Sequence, residues 1–180
     1  MNTTRAIINK AEQMQIASAL MKVHYRFALL WKIGIYTGLR ISDLLTLKSS
    51  QVLPGGRFAI YESKTGKRKE ISLDAEILGE TKGYVKFYGL RPNDFLFFSH
   101  VTRKHKPMTR QWAHRVIARE GLKFARDSLG AHSMRKIYAC NKYASTGSLE
   151  SVQRDLNHKY VSTTLIYLKD LLEQGIKNGP

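Results

Sequence analysis

Residues 58–73, Phe-Ala-Ile-Tyr-Glu-Ser-Lys-Thr-Gly-Lys-Arg-Lys-Glu-Ile-Ser-Leu, hold two short runs that read as strands on either side of a turn. The first, Phe58 to Tyr61, is aromatic and β-branched, and the second, Lys69 to Leu73, ends in alternating apolar and polar side chains. Thr65-Gly66-Lys67 supplies the turn between them, because glycine reaches backbone angles closed to other residues. The chain around this hairpin reads as helix. The expected class is therefore mainly α with a small antiparallel β-sheet near the middle (α+β).

Upstream, the first forty-odd residues read as helical. Ile7, Ala11, Met14, Ala17 and Met21 recur at helical spacing, Tyr25 to Trp31 continues as a nearly buried segment, and Gly38 ends it. Ser42 is placed to cap the next short helix, and Pro54-Gly55-Gly56 is a turn. Downstream, Asp74 is placed to cap a helix through Ile77, Val85 and Phe87. Phe95 to Phe98 is a short apolar piece, and Thr109 caps Gln111 to Glu120. Helices are expected over Ser133–Ala144, Ser148–Leu156 and Thr163–Glu173, the last opened by Ser162 and closed near Gly175. No repeat, low-complexity tract or linker divides the chain, so residues 1–180 are expected to form a single domain.

Composition narrows the classes. Thirty Lys and Arg against fourteen Asp and Glu leave a net charge of +16 on 180 residues, and a 43% hydrophobic fraction is enough for a core. The best apolar run, Phe27 to Tyr36, is short and interrupted by Lys32, which excludes a membrane span. The first residues lack an apolar signal core, and Cys140 is the only cysteine, so no internal disulfide or multi-cysteine zinc site forms. The expected setting is cytoplasmic: bacterial, phage-encoded or nucleoid-associated. Eight Lys and Arg between Val101 and Arg126 face a single acid, Glu120, and Lys64, Lys67, Arg68 and Lys69 form a second cluster. Such clusters neutralise phosphates and release counterions, so double-stranded DNA is the expected partner.

Four local groups carry chemistry, and each taken alone has an ordinary reading as a surface pair, a solvated turn or a packed aromatic. Gly38-Leu39-Arg40-Ile41-Ser42-Asp43 aims an arginine from a helix junction, with Asp43 three residues on as an expected bidentate partner. Ser63-Lys64-Thr65-Gly66-Lys67 puts a lysine at a hairpin tip. His132-Ser133-Met134-Arg135 puts a histidine and an arginine on one helical face, where both suit a phosphate oxygen. Finally, His158 precedes a capped helix that carries Tyr167 in its second turn. A phenol is a poor nucleophile until cations lower its pKa from about 10 or a base takes its proton. His24, His100, His105 and His114 show no metal-ligand spacing.

The order of these groups resembles the catalytic domain of the tyrosine recombinases, the phage-integrase family. TGLRISDLLTLK, YESKTGKRKEISL, AHSMRKIYA and LNHKYVSTTLIYL carry the resemblance, which runs from about residue 5 to 173. It implies a catalytic hexad of Arg40, Lys64, His132, Arg135, His158 and Tyr167, with Asp43 behind it orienting the cationic groups. It implies site-specific DNA recombination, of the kind integrases perform, through a 3′-phosphotyrosyl intermediate on Tyr167. Lys64 is the implied general acid and His132 the implied base or orienter, with no metal, cofactor or ATP. The implied assembly is a dimer or tetramer on DNA. Arg103, Lys104, Lys106, Arg110, Arg115, Lys67 and Arg68 are the expected DNA-binding residues.

The chain departs from the family pattern at Lys136, where histidine is usual, and at Asn157, where glycine is common; both read as local tuning. Lys67 or Lys69 takes the place of Lys64 if the hairpin register differs. The pattern starts within the first few residues, so no N-terminal core-binding domain is expected in this chain. It is then either a fragment or one of the minimal members, like the fimbrial-type inversion recombinases, and leans more heavily on its basic segment for DNA. Two alternatives stay open: a catalytically idle DNA-binding regulator or accessory protein of the same fold, and a type IB topoisomerase-like relaxase.

Overall fold

The structure is a computed structural model that describes residues 9–101, 103–124 and 129–177. Ile7 and Arg126 lie outside the described residues, as do the side chains of Arg103 and Lys104. The first two helices are α1 (Lys10–Val23) and α2 (Tyr25–Thr37). A single helical stretch was the expectation, but His24 divides it. Its extended backbone closes α1 through its own N–H to Leu20 O, and its ring opens α2 by accepting from the Arg26 amide. No glycine or proline marks that break. Gly38 ends α2 as expected, in the left-handed region at φ 63°.

Helix α3 (Ile41–Leu45) starts directly after Arg40, which holds the cap position without a side-chain bond. Ser42, the expected cap, therefore falls inside the first turn, with its hydroxyl 3.2 Å from that of Ser63. After α4 (Ser49–Val52), strands β1 (Arg57–Tyr61) and β2 (Arg68–Ser72) pair antiparallel, with Phe58 opposite Ile71 and Ile60 opposite Lys69. Helix α5 (Ala75–Tyr88) is capped by Asp74, whose carboxylate accepts from the Ile77 amide at 2.8 Å.

A second short antiparallel pair, β3 (Phe98–Ser99) and β4 (Arg103–Pro107), was not anticipated in the basic segment. Arg-Lys-His-Lys-Pro shows no apolar alternation, so only the backbone pairing makes it a strand. Helices α6 (Arg110–Gly121), α7 (Ala131–Thr146), α8 (Leu149–Asp155) and α9 (Val161–Lys177) follow. Thr109 caps α6 as expected, and Ser148, expected as the first residue of α8, stands at its cap position. α9 starts earlier than Thr163 and runs through Gly175, since one glycine costs a long packed helix only about 1 kcal/mol.

α2 is the spine. Leu29, Leu30, Trp31 and Ile33 are fully buried, and α1, α5, α6 and α7 pack around the helix that carries them. Burying each such side chain contributes roughly 1.5–3 kcal/mol. A separate small cluster of Ala139, Cys140, Val152, Leu156 and Leu168 holds α7, α8 and α9 together, with Tyr167 packed at its edge. The helix bearing the expected nucleophile is thus seated by its own local core.

Candidate active site

Arg40, Lys64, His132, Arg135, His158 and Tyr167, drawn from four separate stretches of the chain, line one cleft of about 500 Å³. A larger groove of about 670 Å³ runs along β2, α7 and α8 and contains none of them. The smaller cleft is therefore the chemically defined one.

Each side chain arrives by a distinct local device. The left-handed turn at Gly38 throws Arg40 off the end of α2, where its guanidinium meets Glu62 Oε1 at 2.8 Å. Arg135 is 2% exposed. Its Nη1 donates to Gly38 O at 2.7 Å, its Nη2 donates to Leu156 O at 2.5 Å, and Glu62 Oε1 lies 3.6 Å away. Two of five N–H groups are spent on these carbonyls, and others remain for a ligand. One turn earlier on α7, His132 is exposed on the same face, so the helical spacing of three does align the pair.

His158 lies in the turn after α8. Its Nδ1 is 3.0 Å from the hydroxyl of Thr164, which is fully buried in the first turn of α9. Its ring meets that of Tyr167 edge to face at 4.9 Å. Lys64 stands exposed at the hairpin tip. Of the three candidate lysines only Lys64 lines the cleft: Lys69 is buried and gives its ammonium to Thr37 O at 2.9 Å, and Lys67 is exposed outside the cleft lining.

Two expectations change. Asp43 does not form the anticipated pair with Arg40. It accepts from the Ser63 amide at 3.0 Å and the Ser63 hydroxyl at 2.6 Å, so it clamps the hairpin beside Lys64. The carboxylate that meets both arginines is Glu62, which is 1% exposed and also accepts from the Thr65 hydroxyl at 2.9 Å and the Asn157 amide at 3.1 Å. The signal was present in the strand alternation. Residues 60 and 62 share the inward face at the end of β1, and an inward acid requires a cation. Among the expected DNA-binding residues, Arg110 lines the cleft, while Lys67, Lys106 and Arg115 are exposed elsewhere. Arg68 instead pairs with Glu70 at 2.6 Å and lines the larger groove.

The electrostatics suit an anion. Burial alone would raise the Glu62 carboxyl, but Arg40, Thr65 and Asn157 hold it below its ordinary value. Burial first, then Arg135 and Arg40, lower His158 to about 4, and burial, Arg110 and Arg135 push His132 down as well. Both imidazoles are then neutral near pH 7, able to donate or accept a proton. Four cationic side chains, Arg40, Lys64, Arg110 and Arg135, surround them. The described residues hold no cluster of three or more His, Cys, Asp or Glu side chains arranged for a metal ion.

The chain belongs to the phage integrase family, the tyrosine recombinases, which it matches over residues 5–173. It is 31% identical to a probable integrase/recombinase, YoeC, of Bacillus subtilis, across 89% of this chain and 87% of that one. It is 30% identical to the tyrosine recombinase XerD of Rhizobium meliloti across 87% of this chain and only 50% of the relative. Among solved structures, XerA recombinase shares the fold with a TM-score of 0.75 at 22% identity, over 99% of this chain and 66% of that one. XerH, solved in a post-cleavage complex with its difH substrate, superposes with a TM-score of 0.74 at 26% identity, over 98% of this chain and 54% of that one. The fold class is the expected one, and among the described residues no helix is long and apolar enough to cross a membrane.

Proposed function

We propose that this chain cuts and rejoins duplex DNA at a defined site, using Tyr167 as a covalent nucleophile. The observation that carries this reading is the convergence of the six side chains on a single cationic cleft. A phosphodiester resists attack because its oxygens are negative and its leaving alkoxide is strongly basic. Cationic donors fixed around the phosphorus stabilise the charge that develops in the transition state. Arg40, Arg135 and neutral His158 donate to the non-bridging oxygens. With Nδ1 held by Thr164, the His158 ring presents its other nitrogen to the cleft.

The proton inventory balances within the cleft. His132 takes the Tyr167 hydroxyl proton as the phenolate oxygen bonds to phosphorus. The bond from phosphorus to the 5′-oxygen breaks in line, and Lys64 protonates the departing 5′-oxygen to give the 5′-hydroxyl. The 3′-phosphotyrosyl bond conserves the energy of the phosphodiester, so a 5′-hydroxyl from another strand reverses the step without ATP. Exchange between two duplexes needs one nucleophile per strand, which implies a dimer on each site and a tetramer in the full complex. The similarity to XerH, a site-specific recombinase captured on its difH substrate after cleavage, supports DNA as the partner.

A nicked suicide DNA site tests the reading. The unaltered chain is expected to form a protease-sensitive covalent adduct, and Tyr167→Phe none. Equal adduct from both would remove Tyr167 from the reaction.

A further inference from the structure

Among the described residues, Asn157 is the only non-glycine residue with positive φ, at 51°. A side chain in the left-handed region is strained, and asparagine tolerates it better than most residues because its short polar arm bonds locally. Here the arm reaches across the fold instead. Asn157 Nδ2 donates to Glu62 Oε2 at 3.1 Å, from the turn before His158 to the hairpin that carries Lys64, 95 residues away in sequence. The same carboxylate oxygen accepts from Thr65 at 2.9 Å, and the Glu62 carbonyl accepts from the Thr65 and Gly66 amides at 3.2 and 2.8 Å. Glu62 therefore organises the loop around Lys64 from its base, and Asn157 fixes that base to the turn holding His158.

We propose that Glu62 and Asn157 form a positioning latch, through which the hairpin bearing Lys64 and the turn bearing His158 are held as one unit. The Oε1 side of Glu62 meets the arginines at 2.8 and 3.6 Å, while the Oε2 side ties the two loops. The left-handed backbone at Asn157 is what brings its amide to that second oxygen. Neither residue touches the scissile phosphate in this scheme; both act through Lys64, His158 and the arginines. The catalytic part of the inference rests on the proposed cleavage chemistry, whereas the mechanical part does not.

Hydrogen exchange of the full chain tests the mechanical part without any DNA. Asn157→Gly keeps access to the left-handed region and removes the donor, so exchange should rise several-fold in residues 62–67, far from the substitution. Asn157→Asp also tolerates the backbone but sets a carboxylate against Glu62, and should open the hairpin further than glycine does. Glu62→Gln keeps an acceptor for Asn157 and should leave the hairpin protected. Unchanged hairpin exchange in both Asn157 variants, with melting temperatures near that of the unaltered chain, would overturn the latch.

Cleavage kinetics then test the catalytic part. A 5′-thio leaving group needs no proton, so it is blind to a misplaced Lys64. Asn157→Gly should slow cleavage of the ordinary 5′-oxygen about tenfold, within the roughly 10²–10⁴ a positioned acid supplies, and slow the thio substrate much less. Glu62→Gln should slow both substrates alike, since it disturbs the arginines. Equal slowing of both substrates by Asn157→Gly would sink the positioning role. If the unaltered chain forms no adduct while Asn157→Gly still opens the hairpin, the cleavage reading falls and the mechanical latch stands.

Discussion

Arg135 reaches from α7 to the end of α2 and donates to the Gly38 carbonyl oxygen over 2.7 Å, with only 2% of the residue exposed. Its other terminal nitrogen donates to Leu156 O in the turn before His158. One guanidinium thus fixes two loops that deliver other members of the cleft, Arg40 and His158. A single residue serves as part of the frame and, in the proposed function, as part of the chemistry.

Arg135→Lys should accordingly damage both. Lysine keeps the charge but offers one nitrogen, which cannot satisfy Gly38 O and Leu156 O together. A buried carbonyl left without a donor costs about 1–3 kcal/mol. For a chain of this size, at about 2–4 °C per kcal/mol, that lowers the melting temperature by roughly 2–12 °C. A thermal melt and the suicide-site assay, run side by side, should show lower stability together with loss of adduct. Unchanged melting would mean that the two carbonyl bonds do not stabilise the fold.

Gly38→Ala and Gly147→Ala form a paired test of how Arg40 is aimed. Both glycines have φ 63°, so both alanines bear the strain of the left-handed region, about 1–2 kcal/mol. At Gly38 an added Cβ would fall 2.4 Å from the Tyr138 ring, whereas at Gly147 nothing lies within 4 Å. The Tyr138 ring is held by its hydroxyl, which donates to Asp155 at 2.8 Å, so it does not swing aside freely. Overpacking of this kind adds roughly 1–3 kcal/mol. Urea unfolding should place Gly38→Ala well below Gly147→Ala in stability; equal midpoints would refute the close approach.

Much of the fold was legible because local chemistry and tertiary packing agree. Gly66 marked the hairpin, Asp74, Thr109 and Ser148 marked helix starts, and the His132–Arg135 spacing marked a shared helical face. What escaped had no local signature. The break at His24 depends on a ring nitrogen acting as cap, a role that Ser, Thr, Asp or Asn usually fills. Asp43 was assigned to Arg40 because they are three residues apart. The partner that meets Arg40 is Glu62, on another element, and Asp43 turns to Ser63. Nearness along the chain decides little when a hairpin folds back over a helix junction.

Acid should weaken the fold in a way that His158 can account for in part. Its folded pKa is about 4 against an ordinary 6.5, lowered by burial and then by Arg135 and Arg40. Between those values the unfolded chain binds the proton and the folded chain does not. The stability is thus intact above pH 6.5 and is lost as the pH falls toward 4. The ceiling for one group is about 1.4 kcal/mol per pH unit, and solvent near this half-buried ring reduces it. His24, also lowered to about 4, contributes in the same direction. Urea midpoints from pH 7.5 to 4 should therefore fall less steeply for His158→Asn than for the unaltered chain. Parallel curves would place the acid sensitivity elsewhere.

DNA affinity should separate the basic residues by where they point. Each phosphate contact contributes about 0.9 to the slope of log affinity against log salt on B-form DNA. Arg110 faces the cleft with Tyr167, and Lys67 is exposed in the hairpin loop beside Lys64. Arg68, though next in sequence, pairs with Glu70 at 2.6 Å and lines the groove that holds none of the six. Arg110→Ala and Lys67→Ala should each reduce the measured slope by about 0.9, and Arg68→Ala should leave it unchanged. Binding titrations on one duplex at several salt concentrations read this directly. A loss at Arg68 equal to the other two would mean that the DNA wraps across the β2 face, and the approach to the cleft would have to be redrawn.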